Sequence, residues 1–193
     1  MSVIDEKNNL RKIVKKFKQE LSSEDKRVKS SDIFREVEQL DEFIKADTIL
    51  VYWSMADEVI THDFINKWWQ EKTMLLPTID GENLIIKEYL GENYMIPDEY
   101  FGILEPKGDA FLEMDKIDLI IVPGVAFDMH NNRMGRGRGY YDKLLRLTSA
   151  IKIGVCFNFQ HFESIPVDEH DIPMNSVISE IYCKQNKLSK REL

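Results

Sequence analysis

Apolar side chains follow a helical spacing along residues 10–40. A first set predicts one amphipathic helix, and it consists of Leu10, Ile13, Val14, Phe17 and Leu21. A second set predicts another helix, and it consists of Val28, Ile33, Phe34, Val37 and Leu40. Between the two sets, Ser22 and Asp25 have the spacing of a capping box. The chain is therefore expected to open with two helices.

After residue 47, short continuous apolar runs alternate with helical patterns. The runs predict strands over 48–53, 73–76, 84–89, 118–122, 151–157 and 177–182. One helix is expected after Thr61 as its N-cap, with Trp68 and Trp69 packing, and another from Tyr140 to Leu147. Continuous apolar strands are typical of a parallel sheet covered on both faces. The pattern predicts an α/β sandwich on a mainly parallel sheet.

Size and charge narrow the class of protein. A chain of 193 residues is long enough for one domain, and we expect a single domain over 1–193, although two would also fit. A net charge of −8 argues against a general nucleic-acid binder but leaves room for a small anionic ligand. No apolar run has the length of a signal peptide or a membrane span, which predicts a cytoplasmic protein without a membrane partner. Cys156 and Cys183 are interpreted as buried free thiols in a reducing compartment.

The most informative segment follows the strand at 118–122, and we call residues 133–139 the glycine loop. Three glycines, which permit positive φ and close approach to a ligand, alternate there with three arginines, whose guanidinium groups suit phosphate oxygens. The loop lies where a strand gives way to a helix, the place where open α/β sheets bind anions. Asp142, just inside that helix, could hold a Mg²⁺ ion that bridges phosphates.

Spacing alone leaves two interpretations of the glycine loop open. It has neither the P-loop pattern nor the dinucleotide fingerprint, so both a phosphate site and a purely structural loop remain. The four histidines are scattered without metal-ligand spacing, and no zinc site is expected from them.

A longer ordered pattern extends on both sides of the loop. The runs Val122-Pro123-Gly124-Val125-Ala126-Phe127-Asp128 and Asn132-Arg133-Met134-Gly135-Arg136-Gly137-Arg138-Gly139-Tyr140-Tyr141-Asp142 resemble the signature of the 5-formyltetrahydrofolate cyclo-ligase family. The resemblance continues at Lys7 with Arg11, and in segments 52–58, 76–77, 102–106 and 166–171. It implies a three-layer α/β/α sandwich, Rossmann-like and of the NagB/RpiA/CoA-transferase-like type.

The resemblance also implies a reaction. Members of the family use ATP and Mg²⁺ to convert 5-formyltetrahydrofolate to 5,10-methenyltetrahydrofolate, with release of ADP and phosphate. The γ-phosphoryl group is transferred to the formyl oxygen, N10 attacks the activated carbon, and phosphate leaves. Such chemistry depends on the placement of two ligands and on charge neutralisation rather than on a protein nucleophile.

Roles for individual residues follow from the resemblance. The residues implied for ATP are Lys7, Arg11, Arg133, Met134, Gly135, Arg136, Gly137, Arg138, Gly139, Tyr140 and Tyr141. Those implied for folate are Trp53, Met55, Glu58, Arg136, Gly137, Arg138, Gly139 and Tyr140. Arg136, Arg138 and Tyr140 are the predicted catalytic residues, and Asp142 and Asp171 the predicted Mg²⁺ ligands. The family often has Gly or Lys at position 138 and usually has Asp at position 175, which is Asn175 here.

Two other functions compete with that of the cyclo-ligase. One is a different phosphate-handling enzyme, such as a small-molecule kinase or a sugar-phosphate isomerase, but a generic phosphate loop would not predict segments 52–58 and 102–106. The other is a non-catalytic regulator that binds folate or a nucleotide, against which Lys7, Arg11 and both carboxylates argue. We expect small-molecule substrates and a monomer or weak homodimer.

Overall fold

The computed structural model describes residues 2–97 and 104–180. The helices are α1 (Val3–Glu20), α2 (Ser23–Val37), α3 (Asp41–Lys45), α4 (His62–Trp68) and α5 (Tyr140–Leu145). The strands are β1 (Thr48–Leu50), β2 (Thr73–Asp80), β3 (Asn83–Glu88), β4 (Met95–Pro97), β5 (Leu104–Pro106), β6 (Leu119–Pro123), β7 (Ala126–Asp128), β8 (Arg133–Met134), β9 (Ile151–Val155), β10 (His161–Phe162) and β11 (Ser176–Ile178). Within these ranges, no helix combines the length and apolar character needed to cross a membrane.

A six-stranded sheet forms the centre of the fold, in the order β11-β9-β6-β1-β2-β3. The pairs β11–β9, β9–β6, β6–β1 and β1–β2 are parallel, whereas β2 and β3 form an antiparallel hairpin. Gly81 makes the hairpin turn with φ +58°. The prediction of a mainly parallel sheet is confirmed.

Alternate residues of the sheet build two separate cores, one on each face. Ile49 and Ile121 face one core together with Phe34 of α2 and Phe64 of α4. Their sheet neighbours Leu50 and Ile120 face the opposite core, where they pack with Leu144 and Leu145 of α5. The strands are buried on both faces because helices cover both sides, which explains their continuous apolar sequences. The expected α/β/α sandwich is confirmed.

A second, smaller sheet places the glycine loop. It has the order β10-β7-β8 and continues directly from the end of β6. Helix α1 packs on it through Val14, which is fully buried with Ala126, Met134 and Ile165. The charged face of α1 is thereby brought against the glycine loop, which begins at β8.

Several predicted boundaries were wrong. The strand predicted at 48–53 ends at Leu50, although the Val51 amide still donates to Leu75. Thr61 is the N-cap residue of α4 as predicted, although its hydroxyl donates to the carbonyl of Tyr52 instead of capping the helix. The last predicted helix ends at Leu145 rather than Leu147.

The end of the described chain tests two other predictions in part. The strand predicted at 177–182 is observed over Ser176–Ile178, and residues 181 and 182 lie outside the described ranges. Cys156 is a buried free thiol as predicted, and burial raises its pKa. Cys183 lies outside the described residues.

Candidate functional site

A buried carboxylate organises the chain just before the glycine loop. Asp128 ends β7 and is 1% exposed, and we call residues 128–132 the Asp128 loop. Its Oδ1 accepts from the amides of His130 and Asn132, both at 2.9 Å. Its Oδ2 accepts from the Asn132 side chain at 3.0 Å and from the Ile165 amide at 3.1 Å. Burial opposes ionisation, but hydrogen bonds from Asn132, Ile165 and His130 lower the pKa of Asp128.

Arg133 lies underneath the glycine loop rather than on its surface. Its side chain is 3% exposed, and Nη2 is 2.7 Å from Oδ1 of Asp142. Nη1 donates to the carbonyl of Pro123 at 3.3 Å, and the guanidinium lies 5.6 Å from the centre of the Tyr141 ring. A Cβ at Gly135 would come within 2.9 Å of Nη1, so the close approach requires glycine there.

Helix α1 holds the backbone of the loop from the other side. Nε of Arg11 donates to the carbonyl of Gly135 at 3.1 Å. Gly137 has φ +98°, and a Cβ there would lie 3.3 Å from Nη2 of Arg11. Gly139, with φ +70°, precedes α5. The positive φ that the glycines were expected to permit is observed at Gly137 and Gly139, and at Gly137 the backbone lies against Arg11.

Arg136 pairs with two adjacent carboxylates. Its Nη2 lies 2.6 Å from Oδ1 of Asp57 and 3.0 Å from Oε1 of Glu58. The other Glu58 oxygen accepts from the amide of Met55 at 3.0 Å. Asp57 also accepts from Lys18 at 3.0 Å. Burial works against the charged form of Asp57, yet Lys18 and Arg136 lower its pKa.

The ammonium group of Lys7 is held in the same way at the other end of α1. Nζ lies 2.6 Å from Oδ2 of Asp168 and 2.6 Å from Oδ2 of Asp171. The same Asp171 oxygen accepts from the backbone amide of Asp168 at 2.8 Å. Burial opposes the charge on Lys7, but its hydrogen bonds with Asp168 and Asp171 raise its pKa.

Trp53, one of the predicted folate residues, packs against other aromatic rings. Its ring stacks on His62 with centroids 4.1 Å apart and also stacks near Tyr89 at 5.7 Å. Tyr140 uses its hydroxyl to donate to the carbonyl of Gly81, in the β2–β3 turn, at 3.1 Å. Burial raises the pKa of the Tyr141 hydroxyl. One aromatic face at this site is therefore already covered by His62.

Two predicted positions take different environments. The Met134 side chain is 1% exposed and packs in the core beneath α1. Arg138 is exposed on the glycine loop. At the position where the family usually has Asp, the side chain of Asn175 accepts from the amide of Lys152 at 2.8 Å. Asn175 thus extends the pairing of β9 and β11.

Ion pairs join most of the predicted charged residues of the site. Three predicted cations each contact a predicted acid, and the pairs are Lys7–Asp171, Arg133–Asp142 and Arg136–Glu58. Sequence reasoning missed the flanking residues Lys18, Asp57, Asp128 and Asp168. Asp57 stands beside a predicted residue and Asp168 within a segment that resembles the family, so both could have been singled out. Within the described ranges, no group of three or more His, Cys, Asp or Glu residues is placed to hold a metal by itself.

Comparison with known proteins gives a consistent result. The model of the 5-formyltetrahydrofolate cyclo-ligase family matches residues 3–180. The 5-formyltetrahydrofolate cyclo-ligase of Haemophilus influenzae is 32% identical over 143 residues, which cover 69% of this chain and 76% of that protein. The enzyme of that name from Mus musculus is 28% identical over 195 residues, covering 93% of this chain and 96% of its relative.

Solved structures resemble the fold over nearly the same range. The 5,10-methenyltetrahydrofolate synthetase of Aquifex aeolicus has a TM-score of 0.81 and 34% identity, and the likeness covers 90% of this chain and 89% of that one. A 5,10-methenyltetrahydrofolate synthetase from Mycoplasma pneumoniae has a TM-score of 0.74 at 24% identity, covering 90% and 98% of the two chains, and supports the fold alone.

Proposed function

The chain belongs to the 5-formyltetrahydrofolate cyclo-ligase family, and we propose that its ATP-dependent conversion of 5-formyltetrahydrofolate to 5,10-methenyltetrahydrofolate takes place over the glycine loop. The observation that carries this placement is the set of three ion pairs around the loop. Each pair joins a cation suited to phosphate with an acid suited to a metal or to folate. Both ligands would thus meet at one surface.

The reaction proceeds in two stages at the formyl group. The γ-phosphoryl group is transferred from ATP to the formyl oxygen with release of ADP, which turns that oxygen into a leaving group. N10 then forms a bond to the formyl carbon and loses its proton, and the carbon–oxygen bond breaks to release phosphate. Catalysis of this kind rests on alignment and on neutralising the charge of the transferring group.

Arg136 and Arg138 are proposed to neutralise that group. Arg136 is 47% exposed at the side chain, so it can move from its carboxylates to a phosphate without unfolding its surroundings. Lys7 and Arg11 lie one helical turn apart on α1, facing the same surface, and are proposed to bind the phosphates further along the loop. Buried Arg133 is proposed to support the ATP site through Asp142 and the loop backbone.

Asp142 and Asp171 are proposed to hold Mg²⁺ together with the nucleotide. Carboxylate oxygens are hard ligands that suit Mg²⁺, and one or two of them with phosphates and water are a usual Mg²⁺ site. Two carboxylates are few ligands for a free Mg²⁺ ion, but they suit an ion that also binds nucleotide phosphates and water. When bound, Mg²⁺ would neutralise charge on the phosphates. Asp171 is paired with Lys7 here, so Lys7 would pass to the phosphates, whereas buried Arg133 would stay beside Asp142.

The folate side of the site is proposed to involve Glu58, Trp53, Met55 and Tyr140. Glu58 is nearly buried and fixed by the Met55 amide, so its Oε1 is presented in one direction. Once Arg136 releases Glu58, that oxygen can accept from the amide-type donors of a pterin ring. Because His62 covers part of Trp53, the indole would contact the ligand by what remains of its surface.

A single assay tests the activity. The protein is mixed with 5-formyltetrahydrofolate and Mg-ATP, and the near-ultraviolet band of the methenyl product is followed. We expect a signal that depends on ATP and grows with enzyme concentration. Folded protein that binds both ligands without producing this band would overturn the proposal and favour a non-catalytic regulator. The cytoplasmic location, the single domain and the monomeric or weakly dimeric state remain predictions.

A further inference from the structure

Two carboxylates share one nitrogen of Arg136, although the proposed reaction uses only one of them. Nη2 contacts Asp57 at 2.6 Å and Glu58 at 3.0 Å. Glu58 is the proposed folate ligand and its side chain is 10% exposed. Asp57 has no role in the site as described so far, and its side chain is 43% exposed. The two acids are thus adjacent in sequence but differ in their environments.

Lys18 fixes the orientation of Asp57. Its ammonium group contacts Oδ2 of Asp57 at 3.0 Å, which leaves Oδ1 directed at Arg136. The Lys18 side chain is only 8% exposed, so the charge it carries is poorly solvated and favours a fixed carboxylate beside it. The lowered pKa of Asp57 keeps that group ionised at neutral pH. Asp57 is therefore a permanent and oriented partner for Arg136.

Glu58, in contrast, must give up its ion pair when a pterin binds. If Glu58 were the sole carboxylate on Arg136, the ligand would have to displace a cation from a nearly buried acid, which is costly. With Asp57 present, Arg136 retains a charged partner at 2.6 Å after Glu58 turns to the ligand. The exchange then leaves no guanidinium without a counter-ion.

We propose that Asp57 is a positioning residue that retains Arg136 at the edge of the site, so that Glu58 can exchange its ion pair for the folate ring. The proposal rests on the proposed function, because it takes Glu58 as the folate ligand. It assigns Asp57 to folate affinity and to the placement of Arg136, not to contact with either substrate.

A double-mutant cycle tests this role. The dissociation constant for 5-formyltetrahydrofolate is measured by calorimetry, without ATP, for the unmodified protein, Asp57→Asn, Glu58→Gln and the double variant. We expect Asp57→Asn to weaken binding about tenfold, because Arg136 then pairs with Glu58 alone. In the Glu58→Gln background the same change should weaken binding less than about twofold, since no carboxylate remains to be blocked.

Two results would overturn the proposal. An equal effect of Asp57→Asn in both backgrounds would show a general structural role, and an unchanged dissociation constant in the single variant would show no role. Removing one negative charge should by itself favour an anionic folate, so weaker binding cannot come from net charge. Glu24→Gln, which removes an acid from an exposed pair with Arg27 on α2, is the matched control and should leave binding unchanged.

Lys18→Met gives a second variant if Asp57→Asn does not fold. It removes the ammonium group that orients Asp57 but keeps the carboxylate, so we expect a loss of folate affinity that is smaller than in Asp57→Asn. An unchanged affinity would count against the proposal. Steady-state kinetics should show the effect in the KM for folate, with the KM for ATP within about twofold. If the unmodified protein neither binds nor converts 5-formyltetrahydrofolate, the proposed function fails, which is distinct from failure of the cycle.

Discussion

Two neighbouring loops of the small sheet satisfy their polar groups in opposite ways. The Asp128 loop is held by a buried carboxylate at its own first residue, which accepts three backbone amides and one side-chain amide. The glycine loop directly after it is held from outside, by Arg11 at the backbone of Gly135 and by Asp57 and Glu58 at Arg136. Three of the four bonds to Asp128 come from within its own loop, whereas the glycine loop takes these partners from distant segments.

The difference distinguishes the Asp128 loop, which supports the structure, from the glycine loop, which is proposed to bind the ligands. Bonds buried within a loop have no competitor, so they contribute to stability and fix where the next residue begins. Ion pairs at a half-exposed arginine contribute little to stability and can be exchanged for a ligand of the same charge. We expect mutations in the two loops to act on different quantities, stability in the Asp128 loop and activity in the glycine loop.

The largest effect is expected at Arg136. Arg136→Ala should lower kcat/KM by about 10²–10³, because it removes a charge from the transferring phosphoryl group. The free energy of unfolding should change by less than about 1 kcal/mol, since the pair is half-exposed. The methenyl assay and urea unfolding measure the two quantities. Arg27→Ala, at an exposed pair on α2, is the control; wild-type kinetics in Arg136→Ala would contradict the assignment.

Asp128 should show the reverse pattern. Asp128→Asn should lower the free energy of unfolding by about 2–4 kcal/mol, because an amide nitrogen replaces one of the two acceptors and charge-assisted bonds are lost. Urea unfolding followed by circular dichroism measures the loss. Asp109→Asn, at an exposed position, is the matched control. A variant at Asp128 with normal stability but no activity would place this loop in the site instead of beneath it.

The unmodified protein and the Asp128→Asn variant should also differ in how their unfolding free energy depends on pH. The folded state lowers the pKa of Asp128, so its contribution to stability is present above the ordinary carboxyl value of about 4 and is lost as pH falls through the lower folded value. The gap in unfolding free energy between the unmodified protein and Asp128→Asn should stay constant above about pH 5 and narrow below about pH 4. Urea titrations at several pH values measure it, and a gap that widens at low pH would contradict the sign.

Smaller effects are expected from glycines of the loop. Gly137→Ala should cost about 1–2 kcal/mol from its positive φ, and it should also push against Arg11 and raise the KM for ATP. Gly139→Ala meets a similar backbone cost, but a Cβ there contacts nothing within 4 Å. Unfolding and steady-state kinetics on the two variants separate strain from contact. Equal values of the KM for ATP would show that the Arg11 contact does not matter for nucleotide binding.

Much of the fold could be predicted from apolar pattern alone. Strand β6 is a continuous apolar run because both of its faces are buried, and its sequence shows it directly. The partner of the Tyr52 carbonyl, just past the end of β1, could not be predicted, and it is the hydroxyl of Thr61. A threonine hydroxyl can form a hydrogen bond with more than one backbone group, and only the tertiary fold determines which one it contacts.

The site was less predictable than the sheet. Composition and order identified the glycine loop and, by resemblance, Lys7, Glu58 and Asp171. The pairing of these residues could not be predicted, since Lys7 and Asp171 lie 164 positions apart and Arg136 and Glu58 78 positions apart. Ion pairs over such separations are set by how the sheet brings the loops together, and neither residue type nor local spacing records them.

Helix α1 has a consequence for how the site can move. Lys7, Arg11 and Lys18 lie on one stripe of this helix, and each contacts a different loop. A rigid helix translates and rotates as one body, so the three contacts cannot change independently. Any shift of α1 therefore moves the acid pair at 168 and 171, the backbone of Gly135 and the carboxylate of Asp57 together. The motions of three segments from distant parts of the chain are thereby coupled through one helix.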